Sequence, residues 1–235
     1  MPTKKMVIAI DGPAGSGKST VARRVADALG YLYIDTGAMY RAVALEALRR
    51  GIAVSEADDI VDLANDLDMR FRRDKSGALR LLVDGEDVSD EIRLPAVSDL
   101  SSPVSAIPGV RHRLVELQRE MGHGGGVVME GRDIQTVVFP QADVKVFLVA
   151  SEDERARRRF AELQAKGVKT SLAEVKRAII ERDDRDTSRE VAPLLKAPDG
   201  IALDSDGLTI DQVVDAILEA VQSKASEKSR LAKGR

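Results

Sequence analysis

The chain has no cysteine and no tryptophan, and its only histidines are His112 and His123. Without cysteine there can be no disulfide, thiolate metal site or cysteine nucleophile, and two histidines do not make a histidine-rich metal site. Aromatic residues make up 3% of 235, too few for the stacking platforms that read single-stranded nucleic acid. An excess of one charge is missing too: 36 Lys and Arg face 39 Asp and Glu, a formal net charge of −3. No bulk positive field is available to a polyanion. Long apolar runs are also absent. Met6 to Ile10, preceded by Lys4 and Lys5, stops at Asp11, well short of the roughly 7–15 residues of a secretory signal or the about 20 of a spanning helix. Neither a nucleic-acid nor a membrane partner is expected, and the cytoplasm is the expected compartment. At 43% hydrophobic and 32% charged, the composition is that of a globular chain with a sizeable core. Its chemistry must run on Arg, Lys, Asp, Ser, Thr and backbone groups.

Short apolar runs alternate with helical patterns, the rhythm of a parallel sheet covered on both faces. The runs are Met6–Ile10, Tyr31–Ile34, Val127–Met129, Val144–Val149 and Ile201–Leu203. Helices are predicted over Ser19–Leu29 (stopped by Gly30), Ala38–Arg50 (stopped by Gly51), Pro108–Met121 and Thr209–Val221. Two stretches break the rhythm. Ser55 with Asp58 resembles a capping arrangement before IVDLANDL. After it, MRFRR, a DKSG turn, ALRLLV, a DG turn and EDV read as hairpins, so residues 67–93 form a small inserted β unit. Residues 152–189 are dense in charge of both signs. The tail from Ser223 to Arg235 is small, polar and basic and reads as a frayed terminus.

Gly12 to Ser19, GPAGSGKS, matches G-x-x-x-x-G-K-[ST], follows the strand MVIAID and opens the helix STVARRVADAL, the context that motif requires. Glycines let the backbone wrap closely enough for successive amides to face phosphate oxygens, and the helix N-terminus adds about half a positive charge there. Gly12, Pro13, Ala14, Gly15, Ser16, Gly17, Lys18, Ser19 and Thr20 are the candidate triphosphate site. Lys18 is placed to reach the terminal phosphates and Ser19 to ligand Mg²⁺. A guanine-reading Asn-Lys-x-Asp segment is excluded, because the only asparagine is Asn65, followed by Asp66 and Leu67. The runs ending in Asp35 and Glu130 leave a motor ATPase open. A small kinase fits the supply of arginine better.

Asp35 to Arg41, DTGAMYR, ends the second strand, where ligands bind in doubly wound sheets. Thr36 and Arg41 could hold an anionic acceptor, or Thr36 could cap a helix beside a solvated Arg41. Gly131, Arg132 and Asp133 follow the third apolar run at the same sheet edge. In ERDDRD, Arg182 and Asp186 lie four apart and Arg189 three further on, hence on one helical face. A salt-bridged solvated helix is the other reading of that run.

In this order, GPAGSGKST, IDTGAMYRA, SSPVSAIPGVR, EGRDIQTVVFP and ERDDRDTSR closely resemble the bacterial cytidylate kinases, over most of the chain from Met6 to about Val221. Two departures, Thr36 where many relatives carry Ser and Glu130 where some carry Asp, keep the chemical type. The resemblance implies an α/β fold: a P-loop kinase core with a five-stranded parallel sheet flanked by helices (residues 1–54, 95–150 and 190–222), a monophosphate-binding insertion (about 55–94) and a short helical lid (about 151–170). A disordered basic tail, 223–235, would follow. The implied reaction is ATP with CMP or dCMP giving ADP with CDP or dCDP, with Mg²⁺. By position, the CMP phosphate would meet Thr36, Arg41, Arg132 and Arg189, the cytosine Ser102, Arg111 and Asp133, and the ribose Arg182 and Asp186.

These roles suit the groups: a phosphate dianion favours bidentate guanidinium partners, and cytosine needs both an acceptor and a donor opposite it. In-line phosphoryl transfer through a loose transition state needs positioning and charge neutralisation rather than a covalent nucleophile. Lys18, Arg132 and Arg189 would supply that charge. Of the lid arginines, Arg155, Arg157, Arg158 and Arg159, the expected arginine fingers are Arg157 and Arg158. Pairing with Glu152, Asp153 and Glu154 on a solvated helix is the alternative. Other small kinases, acting on adenylate or shikimate, are rivals, and adenylate kinases lack the hairpin insertion. A nucleotide-holding regulatory module is another rival, although it would not need a second anion site. A monomer is expected, since this reading leaves no long apolar stripe exposed.

Overall fold

The computed structural model describes residues 5–75, 77–165 and 167–233. Lys4, Ser76 of the expected DKSG turn and the last two tail residues lie outside the described residues. The chain forms two compact units, one running up to Tyr33 and resuming at Gly124, the other spanning Ile34–His123.

The apolar runs become β1 (Val7–Asp11), β2 (Leu32–Asp35, in which the first stretch of the first unit ends), β6 (Val127–Gly131), β7 (Val144–Val149) and β8 (Ile201–Asp204), in the sheet order β2-β6-β1-β7-β8. The central strand β1 runs parallel to β6 and to β7, with Ile8 opposite both Val128 and Val144, and β8 runs parallel to β7. Ile8, Ala9 and Ile10 are fully buried, as a strand covered on both faces requires. Helix α1 (Lys18–Leu29) follows β1 and ends at Gly30 in the left-handed conformation. It packs against α8 (Ile210–Lys233), which also lies on β7. Helices α6 (Glu152–Ala165) and α7 (Leu172–Ser188) form an antiparallel pair over a small core of Ala156, Val175 and Ile179. Ser171 and Glu174 start α7 with a reciprocal capping box.

The expected frayed tail is corrected here. Helix α8 continues twelve residues past Val221, to Lys233. Neither Gly nor Pro occurs between Gly207 and Gly234, the Lys, Ala, Glu and Arg of this stretch are strong helix formers, and Lys224 pairs with Glu227 one turn on.

The second unit holds α2 (Thr36–Arg50), α3 (Ala57–Asp66), the antiparallel sheet β3 (Met69–Arg73), β4 (Leu79–Val83), β5 (Glu86–Asp87), a 3₁₀ turn (Glu91–Arg93), α4 (Pro95–Ala106) and α5 (Pro108–Gly122). The expected inserted β unit is present, and β3 pairs with β4 from Met69↔Val83 to Arg73↔Leu79. It does not stand apart. Met69, Leu81 and Val83 share one apolar core with Met39 and Val43 of α2, Ile60 of α3, Val104 of α4 and Leu114 of α5, so α2, α4 and α5 group with the insertion rather than with the sheet. Ser55 does not cap α3. The helix begins after Glu56, whose carboxylate instead accepts the Ala53 N–H at 2.7 Å, and Asp58 and Asp59 in the first turn suit the helix dipole. Helix α4 contains Pro103, which hides it from pattern reading.

Candidate active site

The phosphate loop lies between β1 and α1, at the carboxyl end of the central strand. Gly12, Pro13, Ala14, Gly15, Ser16 and Gly17 form it, and Lys18, Ser19 and Thr20 open α1. At Gly12 φ is +152°, and a Cβ there would lie 2.0 Å from the Leu148 carbonyl oxygen of β7, so only glycine fits. The first intrahelical bond is from Val21 N–H to the Gly17 carbonyl, 3.1 Å, which leaves the amides of Lys18, Ser19 and Thr20 ahead of the helical ladder. Lys18 is buried, and its Nζ donates to the Pro13 carbonyl at 2.7 Å and to Ser16 Oγ at 3.4 Å. Burial pushes its pKa down to about 7; the positive charges of Arg132 and Arg182 act in the same direction, while Glu130 and Asp11 oppose them.

Beside this loop, β6 ends in Glu130 and Gly131, and Arg132 and Asp133 follow. Glu130 is buried and accepts the Tyr33 hydroxyl at 2.5 Å. Asp133 is buried and leads into a single π-helical turn, Ile134–Val138, where the N–H groups of Val138 and Phe139 reach back five residues to the carbonyls of Asp133 and Ile134. Such turns recur at functional sites. Asp11, the last residue of β1, holds this turn: its carboxylate accepts the N–H of Ile134 at 3.0 Å and of Gln135 at 2.8 Å. Burial raises the Asp11 pKa to about 6, although those two N–H bonds pull it down.

Helix α7 supplies the third part. Arg132 Nε donates to Asp186 Oδ2 at 2.8 Å, and Arg189 Nη1 lies 3.7 Å from Asp186 Oδ1. Burial works against the Asp186 charge, yet Arg132, Arg182 and Arg189 outweigh it and hold its carboxyl below the usual range. Arg132, Arg182 and Arg189 are thus gathered around the buried Asp186 carboxylate. Arg189 sits one residue past the end of α7, in extended backbone, with its Nε on the Ala192 carbonyl at 2.6 Å.

The four arginines of α6 separate. Arg157, exposed, and Arg159, half-buried, pair with Glu154 and Glu162 on their own helix. Arg158 bonds Glu154 at 2.8 Å and both the hydroxyl and carbonyl of Ser205 at 3.1 Å. Arg155 is buried and engaged with backbone and Asp183, so it is not available as a finger.

In the second unit, Asp35 caps α2 by accepting the Ala38 N–H at 2.9 Å and pairs with Arg41 Nη2 at 2.9 Å. The helix-capping alternative for Thr36 is thus replaced: Thr36 is buried at the first position of α2. Burial disfavours the Asp35 charge, but Arg41, the Ala38 N–H and Arg93 prevail and keep its pKa low. Ser102 is buried on α4, and buried Arg111 on α5 donates to the Ser105 carbonyl at 3.0 Å with its guanidinium 5.4 Å from the Tyr40 ring centre.

The sequence singles out neither Asp11, Tyr33, Asp183 nor Gln135, and it offers Arg155 only as one lid arginine among four. Only the position of Asp11 next to the loop glycine was a usable signal.

A loop shaped for a triphosphate, with a second group of cations beside its lysine that a triphosphate alone does not require, defines a P-loop kinase acting on an anionic acceptor. The cytidylate kinase family matches residues 8–223. The cytidylate kinase of Symbiobacterium thermophilum is 53% identical over 216 residues, covering 92% of this chain and 96% of that protein. That of Geobacter sulfurreducens is 51% identical over 219 residues, covering 93% and 94%. Among solved structures, an uncharacterized protein from Eubacterium ventriosum superimposes with a TM-score of 0.52 at 13% identity, over 93% of this chain and 99% of that one, a likeness of fold alone. The chain belongs to the cytidylate kinase family and is an ATP-dependent nucleoside monophosphate kinase. Among the described residues, no helix is long and apolar enough to cross a membrane.

Proposed function

We propose that this chain transfers the terminal phosphoryl group of ATP to CMP or dCMP, giving ADP and CDP or dCDP. Supporting this most directly, Lys18 shares one electrostatic neighbourhood with Arg132 and Arg182, so donor and acceptor charges would be neutralised together. The loop from Gly12 to Thr20 holds the ATP phosphates and Lys18 offsets charge on the transferred group. Thr36, Arg41, Arg132 and Arg189 hold the acceptor phosphate, Ser102, Arg111 and Asp133 the cytosine, and Arg182 and Asp186 the ribose. A phosphate with a second pKa of about 6 is already anionic near neutral pH, so no general base is needed.

Mg²⁺ suits these residues. Ser19 is exposed at the start of α1, a single hydroxyl donor, and no group of three or more His, Asp or Glu among the described residues forms a metal cage. Magnesium held chiefly by substrate phosphates and water needs no more than that. When bound, it would neutralise donor-phosphate charge, with Ser19 as its protein ligand. Helix α6 acts as the lid, with Arg157 and Arg158 as its arginine fingers; Arg157 is exposed and its ion pair is with Glu154 of the same helix. The enzyme works as a cytoplasmic monomer.

Coupled ADP release measured with CMP, dCMP, UMP and AMP in turn tests the reading. CMP and dCMP should give the highest kcat/KM, and a preference for AMP would overturn it.

A further inference from the structure

Of the four arginines at the start of α6, one is sequestered. Arg155 is 4% exposed, and its three bonds go to three different segments. Its Nε donates to the Ala150 carbonyl at 3.0 Å, and its Nη1 to the Ala14 carbonyl of the phosphate loop at 3.1 Å and to Asp183 Oδ2 of α7 at 2.5 Å. The loop also rests on this residue through packing: a Cβ placed on Gly15 would lie 3.3 Å from the Arg155 Cβ. Asp183 Oδ1 is buried with no hydrogen-bond partner, so the carboxylate depends on Arg155.

We infer that Arg155 is a positioning residue for ATP binding, a bracket that holds the Ala14–Gly15 peptide of the phosphate loop against α7. In a planar trans peptide, the N–H of Gly15 points opposite to the Ala14 carbonyl. Anchoring that carbonyl to a buried cation fixes the direction of the Gly15 amide, one of the loop donors on which phosphate binding depends. Gly15 has φ +77°, a region glycine leaves easily, so an outside anchor has something to restrain. The other end of the bracket is Asp183, next to Arg182 and three residues before Asp186. Asp183 accepts from the same Nη1 that reaches the Ala14 carbonyl, so the ion pair holds the guanidinium in place against the loop. The loop carbonyl is thereby anchored on α7 through one guanidinium, and lysine, with a single ammonium and no planar fork, cannot make all three bonds at once.

This deepens the proposed function, since it assigns the ATP half of that site, and binding can test it without turnover. ATP affinity is measured by titration calorimetry in the absence of acceptor for the parent, Arg155→Met, Arg155→Lys, Asp183→Asn and the Arg155→Met/Asp183→Asn double variant, with CMP affinity of the free enzyme measured in parallel. Arg155→Met should weaken ATP about tenfold and leave CMP within twofold. Asp183→Asn should weaken ATP less, and the double variant no more than Arg155→Met alone. ATP affinity within twofold of the parent in folded Arg155→Met, or additive losses in the double variant, would overturn the inference. If Arg155→Met does not fold, Arg155→Lys decides: an unchanged ATP affinity overturns the bracket, and a threefold or greater loss with CMP unaffected supports it. A parent that binds ATP but does not phosphorylate CMP would count against the proposed function, while the ATP titrations would still judge the bracket.

Discussion

Arg132 and Asp186 meet through a 2.8 Å bond between Nε and Oδ2, although 54 residues separate them. The bond ties the turn after β6 to α7 and sets the plane of the guanidinium. Its Nη1 donates to the adjacent Gly131 carbonyl at 3.2 Å. Two fixed points on one planar group determine its orientation, which is what bidentate phosphate recognition requires.

Asp186→Asn should therefore destabilise the protein as well as slow it. Breaking a buried pair leaves its partner charge unmatched, a loss on the order of 3 kcal/mol at pH 7. The native carboxyl titrates below its ordinary value of 3.8, so its stabilising contribution is complete above that pH and declines as pH falls below it. Urea melts of parent and variant should differ most above pH 4, and the difference should shrink as pH falls below that. A constant difference across that range would count against the ionised pair.

Lys18→Met should keep the fold and lose roughly 10³-fold or more in turnover, since one positioned charge on a transferring phosphoryl group is worth that much. The depressed pKa adds a second observable. With the Lys18 pKa at about 7, the group is mostly neutral at pH 8, whereas bound triphosphate favours the ammonium. Binding should then take up close to one proton, and ATP affinity should fall about tenfold per pH unit above 7 until the pKa of the complex is reached. Calorimetry in buffers of different ionisation enthalpy measures the uptake; Lys18→Met should abolish it.

The strands were legible because β1 opens on the apolar run Val7 to Ile10 and β7 is apolar apart from Lys145, close to the pattern of a doubly covered strand, and the phosphate loop because its spacing is local. What stayed hidden is tertiary. Nothing near Asp11 announces that its carboxylate closes on amides 123 and 124 residues away. Arg155, Arg157, Arg158 and Arg159 look alike in sequence; they differ only because Ala156 turns one side of α6 onto Val175 and Ile179 and carries Arg155 inward. Composition misread the tail, where the lack of Gly and Pro was the better signal.

Deleting residues 223–235 should leave kcat/KM for CMP within twofold. Among the described residues, the ion pairs of this stretch, Lys224 with Glu227 and Lys228 with the half-buried Asp143, lie at the surface of the first unit, and such pairs contribute little. Helical ellipticity should fall by about three turns with the melting temperature within about 3 °C. A large loss of activity would place the helix end in the catalytic cycle.

Base choice gives the sharpest test of the acceptor site. Cytosine and uracil have nearly the same shape, so size cannot separate them. They differ along one edge, where cytosine carries an amine and an unprotonated ring nitrogen, and uracil a carbonyl and a ring N–H. A pocket favouring cytosine must oppose the amine with a fixed acceptor. Asp133 suits that task because it is buried and because the turn it leads into is fixed twice, by its own carbonyl accepting from Val137 and Val138 and by Asp11 holding the next two amides. Facing uracil, the same carboxylate would meet a carbonyl, with a penalty on the order of 1–3 kcal/mol. Asp133→Ala should then lower kcat/KM for CMP about a hundredfold and for UMP far less, narrowing the ratio between them, while ATP affinity stays within threefold. If the variant keeps the parent ratio, Asp133 serves to orient Arg132, and the discrimination rests on Ser102 and Arg111.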